Sequence, residues 1–385
     1  MTGARMVGLF AGIGGLELGL GAHGWRTDLL CEIDPGAGAV LSARFPETEL
    51  HADVTRLRAL PAGTELVAAG FPCQDLSQAG RTAGISGARS GLVGEVFRLV
   101  RRKRGPRWLL IENVPFMLQL DRGQAMRHIT EALEQLGYTW AYRVVDARAF
   151  GLPQRRQRVL MLASRTEDPR PVLFGTDAGP RTIGDPDADP CGFYWTEGVR
   201  GLGWAVNAVP TLKGGSGLGI ASPPAVRLPS GEIVTPGITD VERLQGFSPG
   251  WTEPAPAAPG VRQGHRWKLV GNAVSVRMAS WVGGRLADPA VDIVPDDLPL
   301  PADRWPAAAW GRAGIRHRVG VSTWPLHEPY EDLRWFLEDA RLLSARATAG
   351  FLRRAARGNL RFPPGFLTDV EKHLVRMGGF PQEAA

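Results

Sequence analysis

Cys73 stands in the run Gly70-Phe-Pro-Cys-Gln74, directly after a short apolar stretch, Leu66–Ala69, and at the head of a polar, glycine-rich segment that reaches Gly91. A cysteine on a loop at the mouth of a sheet is a candidate nucleophile, because the thiolate attacks and a loop gives it access to substrate. The other reading of a cysteine, a small buried hydrophobe, suits Cys31 and Cys191 better than Cys73. A second apolar run ends in Glu112-Asn113-Val114-Pro115, which would bring a carboxyl group to the same edge. Gln154-Arg155-Arg156-Gln157-Arg158 then opens a third run. An arginine cluster alone reads as a solvated face; at a strand start beside the cysteine and glutamate edges, Arg156 and Arg158 read as functional.

Phe10-Ala-Gly-Ile-Gly-Gly15 lies between a strand-like and a helix-like stretch. Glycines there let the backbone turn tightly and approach a ligand closely, although a purely structural turn would use them too. Gly12, Gly14 and Gly15 match the dinucleotide spacing, but Glu17 takes the place of its final glycine. Glu32 closes the next strand-like run, where a carboxylate can accept from ribose hydroxyls, and Asp53 follows the one after, placed to accept from an adenine amino group. The three features together indicate an adenosine-containing ligand.

These groups need a frame that delivers them to one edge. Short apolar runs at Met6–Phe10, Thr27–Glu32, Leu66–Ala69, Trp108–Glu112, Tyr142–Asp146 and Val159–Ala163 alternate with helical patterns at Leu16–His23, Gly36–Phe45, Gly94–Arg104 and Gly123–Leu136. The alternation predicts an α/β domain over residues 1–164 with a doubly wound, mostly parallel, Rossmann-like sheet, whose ligands sit at the carboxyl ends of the strands. From 165 to 262 glycine and proline become dense and clear helices vanish, which predicts a small, irregular, β-rich domain. A helical run at Trp267–Leu286 predicts that residues 263–287 return to the first domain. The Pro- and Asp-rich 288–303 reads as a linker. Residues 304–385, with helical pieces at Tyr330–Leu343 and Thr348–Arg357, read as a helical C-terminal extension.

The chain has 385 residues, 44% of them hydrophobic, with a formal charge of +6, enough for a substantial core and a modest positive excess suited to a polyanion if the arginines cluster. Its three cysteines fall in no Cys-x-x-Cys pair, which argues against metal sites and disulfide frameworks and for a reducing cytoplasm. No signal peptide pattern and no membrane-spanning apolar run is present in the sequence.

With these residues in place the chain resembles the DNA cytosine-5 methyltransferase family. The glycine loop, the pair Glu32 and Asp53, Pro72-Cys73-Gln74, Glu112-Asn113-Val114, Gln154–Arg158, Arg243-Leu-Gln-Gly-Phe247 and Gly271-Asn272-Ala273-Val274 arrive in the family's order between Val7 and Leu286, about three quarters of the chain. Departures are Gly8, where the family often carries an acidic or small polar residue, and Ser248 and Ser275, where proline is common.

The resemblance implies a sequence-specific enzyme that flips a cytosine out of double-stranded DNA. Cys73 would attack C6, Glu112 would protonate N3, and Arg158 with Arg156 would hold O2. It implies S-adenosylmethionine as methyl donor (S-adenosylhomocysteine as product), held by Phe10, Gly12, Ile13, Gly14, Gly15, Glu32, Ile33, Asp53, Val54, Phe71, Pro72, Leu92, Asn272, Ala273 and Val274, with no metal. Gln74 and Ser77 on the loop, and Arg200, Thr211 and Lys213 in the target-recognition domain, would meet DNA. A monomer on DNA in the bacterial cytoplasm, at the nucleoid, within a restriction-modification or phage-defence system, is the setting it implies.

The tail lies outside the resemblance. Residues 304–385 hold 13 Lys/Arg against 8 Asp/Glu. They read as an extra DNA clamp, a dock for restriction or defence-system proteins, or a helical cap on the catalytic domain. Rival readings of the whole chain are a tRNA cytosine methyltransferase, a catalytically silent DNA-binding subunit, and a nucleotide-binding oxidoreductase. The recognition-type domain opposes the first, the intact Cys73, Glu112 and Arg158 the second, and the glycine spacing the third.

Overall fold

The computed structural model describes residues 3–71, 91–102, 105–214, 223–290, 297–301 and 304–380, with Arg200 described for its backbone alone. Strands β1 (Arg5–Leu9), β2 (Arg26–Cys31), β3 (Glu49–His51), β4 (Leu66–Ala69) and β5 (Trp108–Asn113) pair in parallel in the order β5-β4-β1-β2-β3. Every residue of β4 and β5 is buried, as expected of strands covered on both faces. The period of two sorts their side chains: Met6, Leu66, Ala68 and Leu110 join one core, and Val7, Leu9, Val67 and Ile111 the other.

Helix α1 (Gly15–Gly21) covers the first face, while α3 (Gly91–Val100) and α4 (Gln124–Gln135) cover the second. Helix α2 (Pro35–Arg44) begins where Asp34 caps it, accepting from the Gly36 and Ala37 amides, with Pro35 supplying the fixed φ of the first turn.

Beyond β5 the sheet turns antiparallel. β6 (Thr139–Asp146) and β8 (Gln157–Ser164) form a hairpin whose β8 arm pairs with β5, and the short β7 (Gln154–Arg155) sits between the two. Arg158 and Glu112 are thereby brought to neighbouring strands.

Residues 165–262 hold a small α5 (Arg170–Phe174), the strands β9 (Cys191–Phe193), β10 (Trp204–Val206), β11 (Val209–Pro210), β12 (Ala225–Arg227) and β13 (Ile233–Thr235), and α6 (Ile238–Leu244). β10-β9-β12-β13 make a second antiparallel sheet, while β11 pairs with β7. The run expected as one helix from Trp267 to Leu286 is two, α7 (His265–Asn272) and α8 (Val276–Ala287). They part at Ala273–Ser275, where the backbone turns extended.

The tail departs most from expectation. The stretch 288–303 is not purely a linker, because it contains β14 (Asp297–Pro299), which pairs with β16 (Ile315–Val319). β15 (Ala308–Arg312) pairs with β16 and with β6, so the central sheet gains three antiparallel strands and reaches ten described strands. The expected helix at Tyr330–Leu343 is instead a single 3-10 turn, Leu333–Phe336, followed by β17 (Arg341–Leu342), which joins β13. Two helices follow, α9 (Ala345–Arg357) and α10 (Phe366–Arg376).

These last elements complete the second domain. Three of its strands have only three residues each and present Phe193, Ala225 and Ile233 to one side, where they pack on Phe351, Ala355, Phe366 and Val370. The ring of Phe351 lies 4.6 Å from that of Phe193, and the Phe366 ring stacks on Phe362 at 4.9 Å. His373, fully buried, accepts from the Ile233 amide at 3.2 Å and faces the Leu343 carbonyl at 2.9 Å. Among the described residues no helix is long and apolar enough to cross a membrane.

Phe351→Ala should lower the unfolding free energy by about 3–5 kcal/mol, the usual cost of truncating a fully buried phenylalanine. Urea titration of both proteins measures it, and a loss under 1 kcal/mol would mean that the tail does not share the second domain's core.

Candidate active site

The glycine loop follows β1 with left-handed backbone at three alternate positions. Phe10, Gly12 and Gly14 have φ of 55°, 57° and 85°. The left-handed turn aims the Gly12 amide at Glu32, whose Oε2 accepts it at 2.8 Å while Oε1 accepts from the Asp34 amide at 2.8 Å. Burial pushes the Glu32 carboxyl above its usual range, against the pull of these amides. A Cβ on Gly12 would meet nothing within 4 Å, so the loop faces open space, and Ile33 beside it is 76% exposed. An acceptor carboxylate, an open glycine turn and an exposed apolar side chain fit a ribose and a purine ring.

Asp53 sits at the next strand end as expected. Its Oδ1 already accepts from the Thr55 amide (2.9 Å) and hydroxyl (2.7 Å), which holds its carboxyl below the usual range and leaves Oδ2 3.5 Å from Arg56. Val54 is buried against the sheet, and Leu92 packs on the same core from α3. Gly15 is closed off by the return segment: a Cβ there would strike the Val274 carbonyl and approach Phe247. Ile13 is buried beneath the loop, its carbonyl accepting from Trp251 Nε1 at 2.8 Å.

One residue under this loop went unnoticed in the sequence except as a missing glycine. The Glu17 carboxyl is buried, hydrogen-bonds to no described residue, and fills the space where a side chain on Gly8 would go. Burial first, and then the charge of Glu32, raises it to about 8. The Gly8 departure from the resembled pattern thus has a steric partner, a carboxyl group supplied from the helix instead of the strand.

The chemistry-bearing edge lies across β4, β5 and β8. Phe71, 3% exposed, meets Phe10 edge-on with ring centroids 6.3 Å apart. Asn113 Nδ2 donates to the Phe71 carbonyl at 3.0 Å, tying the segment that leads to Cys73 onto β5. Glu112 Oε2 and Val274 Cγ2 each lie 3.7 Å from where a Cβ on Gly70 would sit. Arg158 Nε lies 2.8 Å from Glu112 Oε1, with both side chains about nine-tenths buried, and its Nη1 donates to the Gln157 carbonyl at 2.7 Å. Its Nη2 donates to no described residue. Burial lowers the Arg158 guanidinium and Glu112 counters it. Pro72, Cys73, Gln74 and Ser77 lie outside the described residues.

Arg156 is also at this edge, but its guanidinium is engaged elsewhere. It is fully buried and donates to three backbone carbonyls: Leu212 at 3.0 Å, Gly271 at 3.3 Å and Ala273 at 2.6 Å. Gln154 and Gln245 reinforce the junction. Gln154 Nε2 donates to the Leu244 carbonyl and Gln245 Oε1, its Oε1 accepts from the Leu212 amide, and Gln245 Nε2 donates to the Val270 carbonyl. Both glutamines stand inside the quoted motifs; only their burial reveals that their amides knit three segments together. Asn113 was likewise inside a motif, and Asp34 was readable as a cap preceding a proline.

On the second domain's face, Thr211 Oγ1 donates to the Arg155 carbonyl at 2.8 Å, so the hydroxyl expected to meet DNA holds the arginine run in place. Lys213 Nζ lies 3.1 Å from Glu197 and 4.2 Å from the centre of the Tyr194 ring, 40% exposed. The backbone of Arg200 lies in the turn Val199–Gly201 on this face. Asn272 is exposed and Val274 half-buried, with Ala273 buried between them.

Comparison with known proteins places this geometry. Residues 4–179 match the model of the family described as C-5 cytosine-specific DNA methylase. The chain is 50% identical over 380 residues to the Type II methyltransferase M2.BsuMI of Bacillus subtilis strain 168, covering 96% of this chain and 97% of that one. It is 31% identical to the Type II methyltransferase M.MspI of Moraxella over 182 residues, 46% of this chain and 43% of that one. Among solved structures, the S. pombe Dnmt2 methyltransferase superposes with a TM-score of 0.51 at 18% identity, over 72% of this chain and 96% of that one, a likeness of fold.

Glu17 makes stability depend on pH in a definite direction. Its folded-state value lies above the ordinary 4.5, so the folded chain holds the proton more tightly. That contribution is complete below about pH 4.5 and is lost as pH rises through about 8. Glu17→Gln should therefore change stability little at pH 5 and stabilise by roughly 2–4 kcal/mol at pH 9. Urea titrations of both proteins at the two pH values test this; a gain equal at pH 5 and pH 9 would show that the carboxyl stays ionised in the fold.

Proposed function

The chain belongs to the C-5 cytosine-specific DNA methylase family and is a DNA cytosine-5 methyltransferase, and we propose that it works by covalent attack of Cys73 on a cytosine swung out of duplex DNA. The observation that carries this reading is the buried ion pair of Glu112 and Arg158 beside Gly70-Phe71, the last described residues before Cys73.

Cytosine C5 is a weak nucleophile until the ring's aromaticity is broken. Addition of the Cys73 thiolate forms an S–C6 bond, and the ring electrons move toward N3 and C5. Glu112, having taken a proton from solvent as the base enters, donates it at N3, and Arg158, with its Nη2 free of described partners, holds O2. Arg158 at Glu112 and the nearby guanidinium of Arg156 place positive charge at this edge, which favours a thiolate. When bound, S-adenosylmethionine supplies the electrophilic methyl group that C5 takes. Gly12, Glu32, Ile33, Asp53, Phe71 and Asn272–Val274 would hold it. Transfer of the C5 proton to water, with cleavage of the S–C6 bond and return of the N3 proton to Glu112, restores the aromatic ring and frees the thiolate.

Arg156 is better read as a positioning residue than as a substrate contact, because its terminal nitrogens are committed to backbone carbonyls. Stacked neighbours cover both faces of a duplex cytosine, from which the thiolate must reach C6, so the base leaves the stack at a cost of about a few kcal/mol. The second domain, with β9–β13 and β17, would read the sequence around it. Since the relatives are named as Type II methyltransferases, protection of DNA from a companion endonuclease is the role we propose.

Plasmid from cells expressing the wild type should carry 5-methylcytosine at one short motif by bisulfite sequencing. Cys73→Ala should abolish it, and Glu112→Gln should slow single-turnover methylation by at least about 100-fold. Methylation that survives Cys73→Ala would sink the covalent mechanism, and methylation of RNA but not duplex DNA would overturn the substrate.

A further inference from the structure

Helix α9 carries Arg346, Arg353, Arg354 and Arg357, and Arg361 follows it, while no Asp or Glu occurs between Ala345 and Phe362. Positions i, i+7 and i+11 fall on one side of a helix, so Arg346, Arg353 and Arg357 form a stripe, and all three are exposed together with Arg361. None of these four forms an ion pair with a described carboxylate. The opposite side of the helix, with Thr348, Phe351 and Ala355, is buried in the second domain's core. A face that is merely solvated mixes its charges, as the neighbouring α10 does with Asp369, Glu371, Lys372 and Arg376. A face of one sign, unneutralised from within, suits a polyanion.

A chain of contacts ties the helix that bears the stripe to the run that contains Arg156 and Arg158. Arg354 donates to the Trp195 carbonyl, Trp204 Nε1 donates to the Arg361 carbonyl at 2.9 Å, and Gly358 closes on Leu202, so the arginine end of α9 is fixed to the loop 195–204. Tyr194, the next residue back, donates to the Thr211 carbonyl at 2.7 Å, and Thr211 donates in turn to the Arg155 carbonyl. Four hydrogen bonds and the approach of Gly358 to Leu202 thus connect the stripe to the run that contains Arg156 and Arg158. At 1.5 Å per residue the helix is about 20 Å long, enough to follow several phosphates of a duplex whose base sits at Arg158.

We propose that the face made by Arg353, Arg357 and Arg361 holds the DNA backbone beside the recognition domain, setting the enzyme's grip on DNA without reading sequence. This rests on the DNA methyltransferase reading above. Each phosphate contact contributes about 0.9 to the slope of log affinity against log salt concentration.

The test is the triple variant Arg353→Gln, Arg357→Gln, Arg361→Gln, compared with wild type for binding to duplexes with and without the methylated motif from 50 to 200 mM salt. The slope should become shallower by about 2.7 on both duplexes, with KM for DNA raised and kcat at saturating DNA unchanged. The corresponding triple lysine variant should retain most of the wild-type slope, and Lys372→Gln on α10 should leave it unchanged. If the glutamine triple variant does not fold, Arg357→Gln alone should shift the slope by about 0.9. A folded triple variant with wild-type slope and KM overturns the proposal while leaving the methyltransferase reading intact. A wild type that neither binds nor methylates duplex DNA overturns both.

Discussion

The buried guanidinium of Arg156 joins parts of the chain that are far apart in sequence. It donates to Leu212 in the second domain and to Gly271 and Ala273 in the returning segment. An arginine with no carboxylate hydrogen-bonded to it is expensive to bury, and burial together with the nearby charge of Arg158 holds it well below the usual arginine range. Charge-assisted bonds to the carbonyls offset that cost only while all of these segments are in place. The break between α7 and α8 follows from the same contacts. The Ala273 carbonyl is turned out of the helical path toward Arg156, and Val274 is left to close on Gly15. Gln154 and Gln245 add neutral bonds around this junction, so the first domain, the recognition region and the return segment meet at one polar, fully buried point.

That junction sets the geometry of the edge where the chemistry occurs. Arg158 lies two residues along β8 and points at Glu112 across the β5–β8 pairing, while Asn113 fastens the Phe71 carbonyl from the other side. A carboxyl group and a cation are therefore carried on sheet strands, and the segment leading to Cys73 is tied to one, where hydrogen-bonded neighbours limit movement. Precision of this kind is what proximity and electrostatic stabilisation require. The glycine loop belongs to the same frame, since the Glu32 carboxylate fixes Gly12 on one side and the return segment presses on Gly15 from the other.

The tail has the opposite character, spreading its contribution over both domains. Its first part lengthens the central sheet through β15 on β6, and its second part closes the small second sheet with β17, α9 and α10. Strands of three residues bury too little surface to stand alone, and the rings of Phe351, Phe362 and Phe366 supply what they lack. The 50% identity to M2.BsuMI spans this region too, with the match covering 96% of the chain.

Much of the catalytic half was legible because its signals are local. Parallel strands covered on both faces are short apolar runs, their helices repeat at a different period, and glycine loops and strand-end carboxylates mark themselves by type and spacing. Leu66–Ala69 was bounded correctly to the residue, and Glu112 and Arg158 were assigned to one edge before any distance was known. What the sequence could not decide is which polar groups would be spent on the protein itself. Arg156 and Arg158 are two residues apart and chemically alike, yet one is bound by carbonyls from residues 212, 271 and 273 and the other pairs with Glu112. The tail is the same case on a larger scale. Arg341 and Leu342 carry no strand signal of their own, and they become β17 only because β13 offers them an open edge. Periodicity, turn chemistry and motif spacing reside in neighbouring residues and were determined by the sequence alone. Burial and hydrogen-bond partnership depend on segments hundreds of residues apart meeting, and only the tertiary structure decided those.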